Sequence, residues 1–309
     1  MYQRRNRIPN FLIVGAAKCG TSSIAQYIEQ HPQAFIPKVK EPMFFSSSFY
    51  QRKVSGDPLY TEAQKKLLVR TWEEYRSLFR DVKKEKAVGE ASTPYLYLYQ
   101  ETIPKIKEYL KDPKIIIMLR NPADRAFSAY SHILRDTGWN MSFDRCIRLE
   151  KERIEAGWDT IHHILRAGFY YRQVKAYLEA FSHVRIFLFD DLYRDAAGLM
   201  KEVYRFLGID EHFSPDLEVR WNISGVPSNR LLYRFLFGSW IMRWLAKPFL
   251  GAFFDDSKLQ RWKECWRARI LKKPVFTEEK RRELLGIFRE DIIKLQALIG
   301  RDLSFWIQI

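Results

Sequence analysis

Short apolar runs alternate with amphipathic stretches along most of this chain. Phe11 to Val14 is a run suited to a strand buried on both faces. Gly15 and Gly20 bracket the loop that follows, and Thr21, Ser22 and Ser23 lead into a helical pattern with Ile24, Tyr27 and Ile28 on one side, stopping near His31-Pro32. Further strands are predicted at Ala34 to Ile36, Ala87 to Glu90, Lys114 to Leu119 and Val184 to Phe189. Helical periodicity covers 58–80, 142–156, 160–182, 195–207 and 278–299, with Gly208 and Gly300 as C-terminal stops and Thr277 as an N-cap. After Leu119 the chain reads Arg120, then Asn121 as N-cap, Pro122 in the first turn and Asp124 at the positive end of the helix dipole. Strand–helix alternation of this kind predicts an α/β fold, and the absence of any repeat or low-complexity linker predicts one domain over 1–309, with a helical C-terminal part over about 231–309.

The strand, glycine-bounded loop and helix start at 11–24 form a phosphate cradle: loop amides and a helix N-terminus point at an anion, and the glycines let it come close. The spacing nearly fits the ATP-type P-loop, but Thr21 stands where that motif has lysine and the loop's lysine is Lys18. Val184 to Phe189 followed by Asp190-Asp191 also admits a Walker B reading, which would make the chain a magnesium-dependent nucleotide kinase. Thr21 argues against it, and the aspartates read more simply as caps of the next helix, so no metal is expected.

Composition narrows the partners. The chain is 47% hydrophobic and 15% aromatic, enough for a sizeable core, and its formal net charge of +15 favours polyanionic ligands. A non-enzymatic polyanion- or membrane-binding protein is therefore a second alternative. The three cysteines, Cys19, Cys146 and Cys265, show no disulfide framework or metal spacing, and Arg4, Arg5 and Arg7 run into the first strand without a secretory segment, so a cytoplasmic enzyme is expected. Residues 231–254 are apolar but interrupted by Arg234, Arg243 and Lys247, too broken for a membrane span. Residues 258–273 carry seven basic residues with Trp262 and Trp266 interleaved. Residues 231–273 are thus the candidate for peripheral membrane contact, with a solvated basic face as the simpler reading.

Gly15-Ala-Ala-Lys-Cys-Gly-Thr-Ser22 resembles the 5'-phosphosulfate loop of sulfotransferases that use 3'-phosphoadenosine 5'-phosphosulfate (PAPS). Leu119-Arg-Asn-Pro-Ala-Asp-Arg-Ala-Phe-Ser-Ala-Tyr130 resembles their 3'-phosphate element, a strand-end arginine with a helix serine eight residues later, here Arg120 and Ser128. Arg166 to Gln173 is similar to a segment near the nucleotide, and Asn222 to Arg230 to a late loop that closes over it. The likeness extends to Gly300–Trp306 and is strongest to bacterial sulfotransferases and the related heparan sulfate group.

The resemblance implies a P-loop-type parallel sheet of about five strands flanked by helices. It also implies sulfuryl transfer from PAPS to a hydroxyl or amine, on a carbohydrate or glycolipid, with no nucleic-acid partner. Lys18, Cys19, Gly20, Thr21, Ser22, Ser23, Arg120, Ser128 and Arg230 would bind the donor. Lys40-Glu-Pro-Met-Phe-Phe45 resembles the heparan-group segment whose glutamate is the catalytic base, which makes Glu41 the first candidate, ahead of His132 and Glu90. Lys40, Glu90 and Ser92 are the acceptor-binding candidates. The chain departs from the heparan group at Glu90-Ala91-Ser92, where a lysine is missing, and at Met43, where a polar residue is common.

Overall fold

A computed structural model describes residues 8–51, 56–59, 69–217, 225–227, 271–272 and 274–308. Five strands, β1 (Phe11–Gly15), β2 (Ala34–Phe35), β3 (Ala87–Ala91), β4 (Lys114–Leu119) and β5 (Val184–Leu188), form one sheet in the order β2-β3-β1-β4-β5. Every pairing in it is parallel. Helices cover both faces, which is why β1 and β4 read as continuous apolar runs: all of β1 is buried, as is β4 after Lys114. The tightest approach lies between β1 and β3. A Cβ on Gly89 would stand 2.4 Å from the Phe11 carbonyl oxygen, so only glycine lets these strands pair there.

Chain order and sheet order fix where a ligand can enter. From β1 the chain moves outward to β2 and returns to β3 on one side, then crosses to β4 and β5 on the other. The connections therefore diverge at β1, and the crevice beyond its C-terminal end is the topological switch point of the sheet. Helix α1 (Thr21–Glu29) leaves from that end, and helix α2 (Pro122–Thr137) leaves from the end of β4. Asn121 caps α2 as the sequence predicts, its side-chain oxygen accepting from the amides of Ala123 and Asp124. Its side-chain nitrogen donates to the Trp306 carbonyl at 2.9 Å, which ties the chain's end to the start of α2.

Helices α3 (Tyr170–Ala180), α4 (Ala196–Leu207) and α5 (Glu278–Ile299) complete the frame. Gly208 and Gly300 stop α4 and α5 in the left-handed conformation, and Thr277 caps α5. Trp306, 1% exposed, anchors the last short helix, Ser304–Ile307.

The continuous helix expected over 160–182 is broken. Thr160–His162 and Arg166–Gly168 are 3₁₀ turns, and the α-helix begins only at Tyr170. The Glu150 carboxylate takes the amides of Leu165 and Arg166 at 2.8–3.1 Å, which removes them from a helical ladder. The helix expected over 142–156 likewise divides at Leu149 into Phe143–Arg148 and Glu150–Glu155. Within 58–80 the described helix is Trp72–Ser77, and residues 60–68 lie outside the described residues. Asp190 and Asp191 do not cap the next helix, which already starts at Phe189. They sit in its first turn, where Asp190 accepts from the Trp306 indole and Asp191 from Arg301, while Asp195 caps α4.

Candidate active site

The strand ends converge on a cleft of about 880 Å³. Its lining includes Lys18, Gly20 and Thr21 to Ser23 from the β1–α1 turn, Arg120 from the end of β4, and Ser128, Ser131, His132 and Asp136 from α2. Lys40 and Glu41 come from the loop after β2, and Thr93 follows β3. Sequence positions more than a hundred residues apart thus face one space.

The β1–α1 turn is shaped for an anion. Gly20 precedes α1 at φ 87°, and no side chain caps this helix. A Cβ at Gly20 would lie 2.9 Å from the Phe189 ring, so the turn needs glycine for conformation and for space. Lys18 is also left-handed, at φ 71°, a strained state for a residue with a side chain. Its ammonium reaches α2 and donates to His132 Nδ1 at 2.9 Å. Burial first, and then the Arg135 charge, lower its pKa to about 7. Cys19, expected among the donor contacts, does not line the cleft. Its side chain is fully buried with Sγ 3.6 Å from the Tyr170 hydroxyl, and burial raises the thiol pKa.

Arg120 sits over the Phe189 ring, its guanidinium carbon 4.6 Å from the centroid. This cation–π contact holds the guanidinium at the cleft, which Arg120 lines. Ser128 lines the same cleft from two turns into α2. Phe127 stacks on Phe276 at 4.3 Å, and both line the cleft, giving it an aromatic wall.

Glu41 also adopts a left-handed backbone, at φ 49°, with Met43 at φ 54°. These turns carry the Glu41 carboxylate into the cleft, where it accepts from the Thr93 hydroxyl at 3.0 Å. Glu90 and Ser92, expected among the acceptor contacts, lie behind this loop and do not line the cleft. Ser92 donates to Glu90 at 2.8 Å and accepts from the Met43 amide at 3.1 Å, while the Tyr95 hydroxyl accepts from the Phe45 amide. They hold the Glu41 loop from below. Burial raises the Glu90 pKa to about 7, and Tyr75 also donates to it. Lys40 is exposed at the rim. Arg230, and residues 231–273 apart from Leu271 and Lys272, fall outside the described residues.

Several cleft residues escaped the sequence reading, among them polar ones close to the candidates. Asp136 accepts from His132 Nε2 at 2.8 Å, and the repeat Ser128, His132, Asp136 at intervals of four was the available signal. Thr93 had none beyond its place after a strand. Asp159 and Thr160 enter the lining because the chain breaks from helix at 160–168, which periodicity hid.

Among the described residues no group of three or more His, Cys, Asp or Glu is placed to hold a metal, and no helix is long and apolar enough to cross a membrane.

The chain is similar over nearly its whole length to a sulfotransferase of known crystal structure from Alicyclobacillus acidocaldarius, with 33% identity, a TM-score of 0.74, and 98% and 100% of the two chains covered. It is 30% identical over 154 residues to the membrane-associated sulfotransferase kil1 of Dictyostelium discoideum, a match covering 48% of this chain and 29% of that one. To human heparan sulfate glucosamine 3-O-sulfotransferase 6 it is 29% identical over 217 residues, covering 68% of this chain and 56% of the relative. The chain therefore matches less than two thirds of the length of either curated relative. Residues 9–219, which hold the five strands of the parallel sheet and both strand-to-helix turns at the cleft, match the sulfotransferase domain profile, and on that match the chain belongs to the sulfotransferase family.

Proposed function

We propose that this chain transfers the sulfuryl group of PAPS to a hydroxyl or amine of a carbohydrate or glycolipid acceptor. One observation carries the reading: Lys18, Arg120, Ser128 and Glu41 line a single cleft at the switch point of the sheet. The donor set suits a nucleotide with phosphate at two positions. An uncapped helix start, Lys18 and the hydroxyls of Thr21 to Ser23 surround one anion site, and Arg120 with Ser128 provides a second. A fork and a hydroxyl are the donors a phosphate takes. Arg230 is read as a further donor contact from the late loop.

Lys18 serves as the charge that meets the phosphosulfate as its bridging oxygen gains negative character, which lowers the barrier more than it tightens binding. Glu41 is the base that takes the acceptor's proton. It is the cleft carboxylate whose described partner is a neutral hydroxyl, that of Thr93. The role of Glu90 and Ser92 toward the acceptor is support of that loop, with Lys40 at the rim. The carbohydrate assignment draws on relatives named for heparan sulfate glucosamine. Residues 1–309 are read as one sulfotransferase domain in the cytoplasm, with 231–273 as a surface for peripheral membrane contact.

The test is a labelled-sulfate transfer assay with PAPS, glycan panels and extracts of the source cells. Label should move to an acceptor with the wild-type chain and not with Lys18→Ala. ATP turnover dependent on Lys18 and magnesium, without sulfate transfer, would replace this reading by a kinase.

A further inference from the structure

We infer that Asp136, acting through His132, is the positioning residue that holds Lys18 in place. The kinetic part of this inference rests on the sulfuryl-transfer reading, and the structural part does not. Ser128, His132 and Asp136 stand four residues apart on α2, so all three lie on the stripe that faces the cleft.

The proton positions follow from the donors around the His132 ring. Two cationic groups converge on Nδ1: Lys18 Nζ at 2.9 Å and Arg135 Nη2 at 3.4 Å. A guanidinium has no acceptor lone pair, so Nδ1 must supply one and its proton must sit elsewhere. It sits on Nε2, which donates to Asp136 Oδ2 at 2.8 Å. Arg135 closes the arrangement by donating Nε to Asp136 Oδ1 at 2.6 Å and Nη2 to Oδ2 at 3.2 Å. The result is a directed chain from Lys18 to His132 to Asp136, with every donor facing an acceptor.

Three consequences follow. The imidazole has no nitrogen left for an acceptor's proton, which removes His132 as the rival to Glu41 for the base. An ammonium has three N–H bonds, so the one given to His132 leaves two for the donor's oxygens. Lys18 also gains a fixed direction that its four-carbon stem does not supply by itself. The charges around the pair are consistent with this. Burial and the Lys18 charge lower the His132 pKa to about 4, keeping the ring neutral. Against burial, the His132 hydrogen bond and Arg135 hold the Asp136 carboxyl well below the usual carboxylate range. Lys18 is faced by Arg135 and Asp136 from α2, and by Lys40 and Glu41 from the loop after β2.

Without Asp136, Nε2–H loses its acceptor and Arg135 loses the carboxylate that holds it beside Nδ1, so the preference for the Nε2–H tautomer rests on the Lys18 contact and weakens. In the other tautomer an N–H would point at the Lys18 ammonium and turn it out of the turn. The role of Asp136 is thus to fix a tautomer, as an outer carboxylate does for a ligating histidine.

The experiment uses the full chain with ¹⁵N-labelled histidine. In wild type, His132 should show an unprotonated Nδ1 and a protonated Nε2 throughout about pH 6 to 8. Asp136→Ala should give a mixture of tautomers, and Asp136→Asn, whose amide oxygen still accepts from Nε2, should restore the single form. In transfer assays Asp136→Ala should lower kcat by about tenfold or more while leaving the donor KM within about threefold. In a His132→Ala background the same change should cost no more than about twofold, because the chain is already cut. An Nδ1–H tautomer or an imidazolium in the wild-type protein overturns the proposal, and so do additive losses from the two substitutions. Should wild-type protein transfer no sulfate at all, the functional reading fails while the NMR result still decides the tautomer.

Discussion

Lys18 is where backbone, charge and chemistry meet. Its left-handed backbone costs free energy, and its burial lowers the ammonium pKa to about 7. A phosphosulfate reverses the second effect by placing negative charge beside the amine. The free-state pKa near 7 sets the window: below it the amine is already charged, and above it binding must take up a proton. Affinity for adenosine 3',5'-bisphosphate should therefore be full below about pH 7 and fall as pH rises beyond it. Calorimetry at about pH 8 in two buffers of different ionisation enthalpy should register proton uptake. Lys18→Ala should abolish that uptake and lower turnover far more than affinity. Glu41 makes the complementary prediction. Glu41→Gln keeps the shape and the Thr93 contact but not the basicity, so it should bind the bisphosphate normally and lose about 10²-fold or more in transfer at neutral pH. Near wild-type transfer by that variant would move the base elsewhere.

At the scale of elements, the site is two strand-to-helix turns, and they depend on different devices. The β1–α1 turn has no side-chain cap and leaves its helix start for an anion. The β4–α2 turn is capped by Asn121, which also holds the chain's end through the Trp306 carbonyl. Asn121→Ala should lower stability by about 1–2 kcal/mol, read as the denaturation midpoint, and weaken bisphosphate binding because Arg120 immediately precedes the cap. An unchanged midpoint would mean that neither contact contributes. These turns were legible in the sequence because each obeys local rules: an apolar run, then Gly-x-x-x-x-Gly, or an apolar run, then Arg-Asn-Pro. Strands β1 and β4 were legible for the same reason, since burial on both faces leaves a run that solvent-facing helices do not imitate. What stayed hidden was set by contacts distant in sequence. The Glu150 carboxylate captures the amides of Leu165 and Arg166 and breaks a segment whose periodicity reads as helix. Glu90 and Ser92 sit at a strand end, as the pattern says, yet the Glu41 loop folds over them and takes their place in the cleft.

For the whole molecule, the order β2-β3-β1-β4-β5 turns scattered polar residues into one site. It sets the ends of β1 and β4 side by side, so the β1 turn and Arg120 face one cleft. The net charge of +15 adds a long-range pull on an anionic donor, one that salt weakens. On the proposed reading specificity comes from the second phosphate, because a nucleotide with only a 5'-phosphate would fill the β1 turn and leave Arg120 and Ser128 unused. The most direct measurement is calorimetric titration of the full chain with adenosine 3',5'-bisphosphate and, separately, with AMP at matched pH and salt. The bisphosphate should bind more tightly by roughly 1.5–3 kcal/mol, the value of a charge-assisted contact, and Arg120→Ala should remove most of that difference. Equal affinity for the two nucleotides in the wild-type protein would contradict the account.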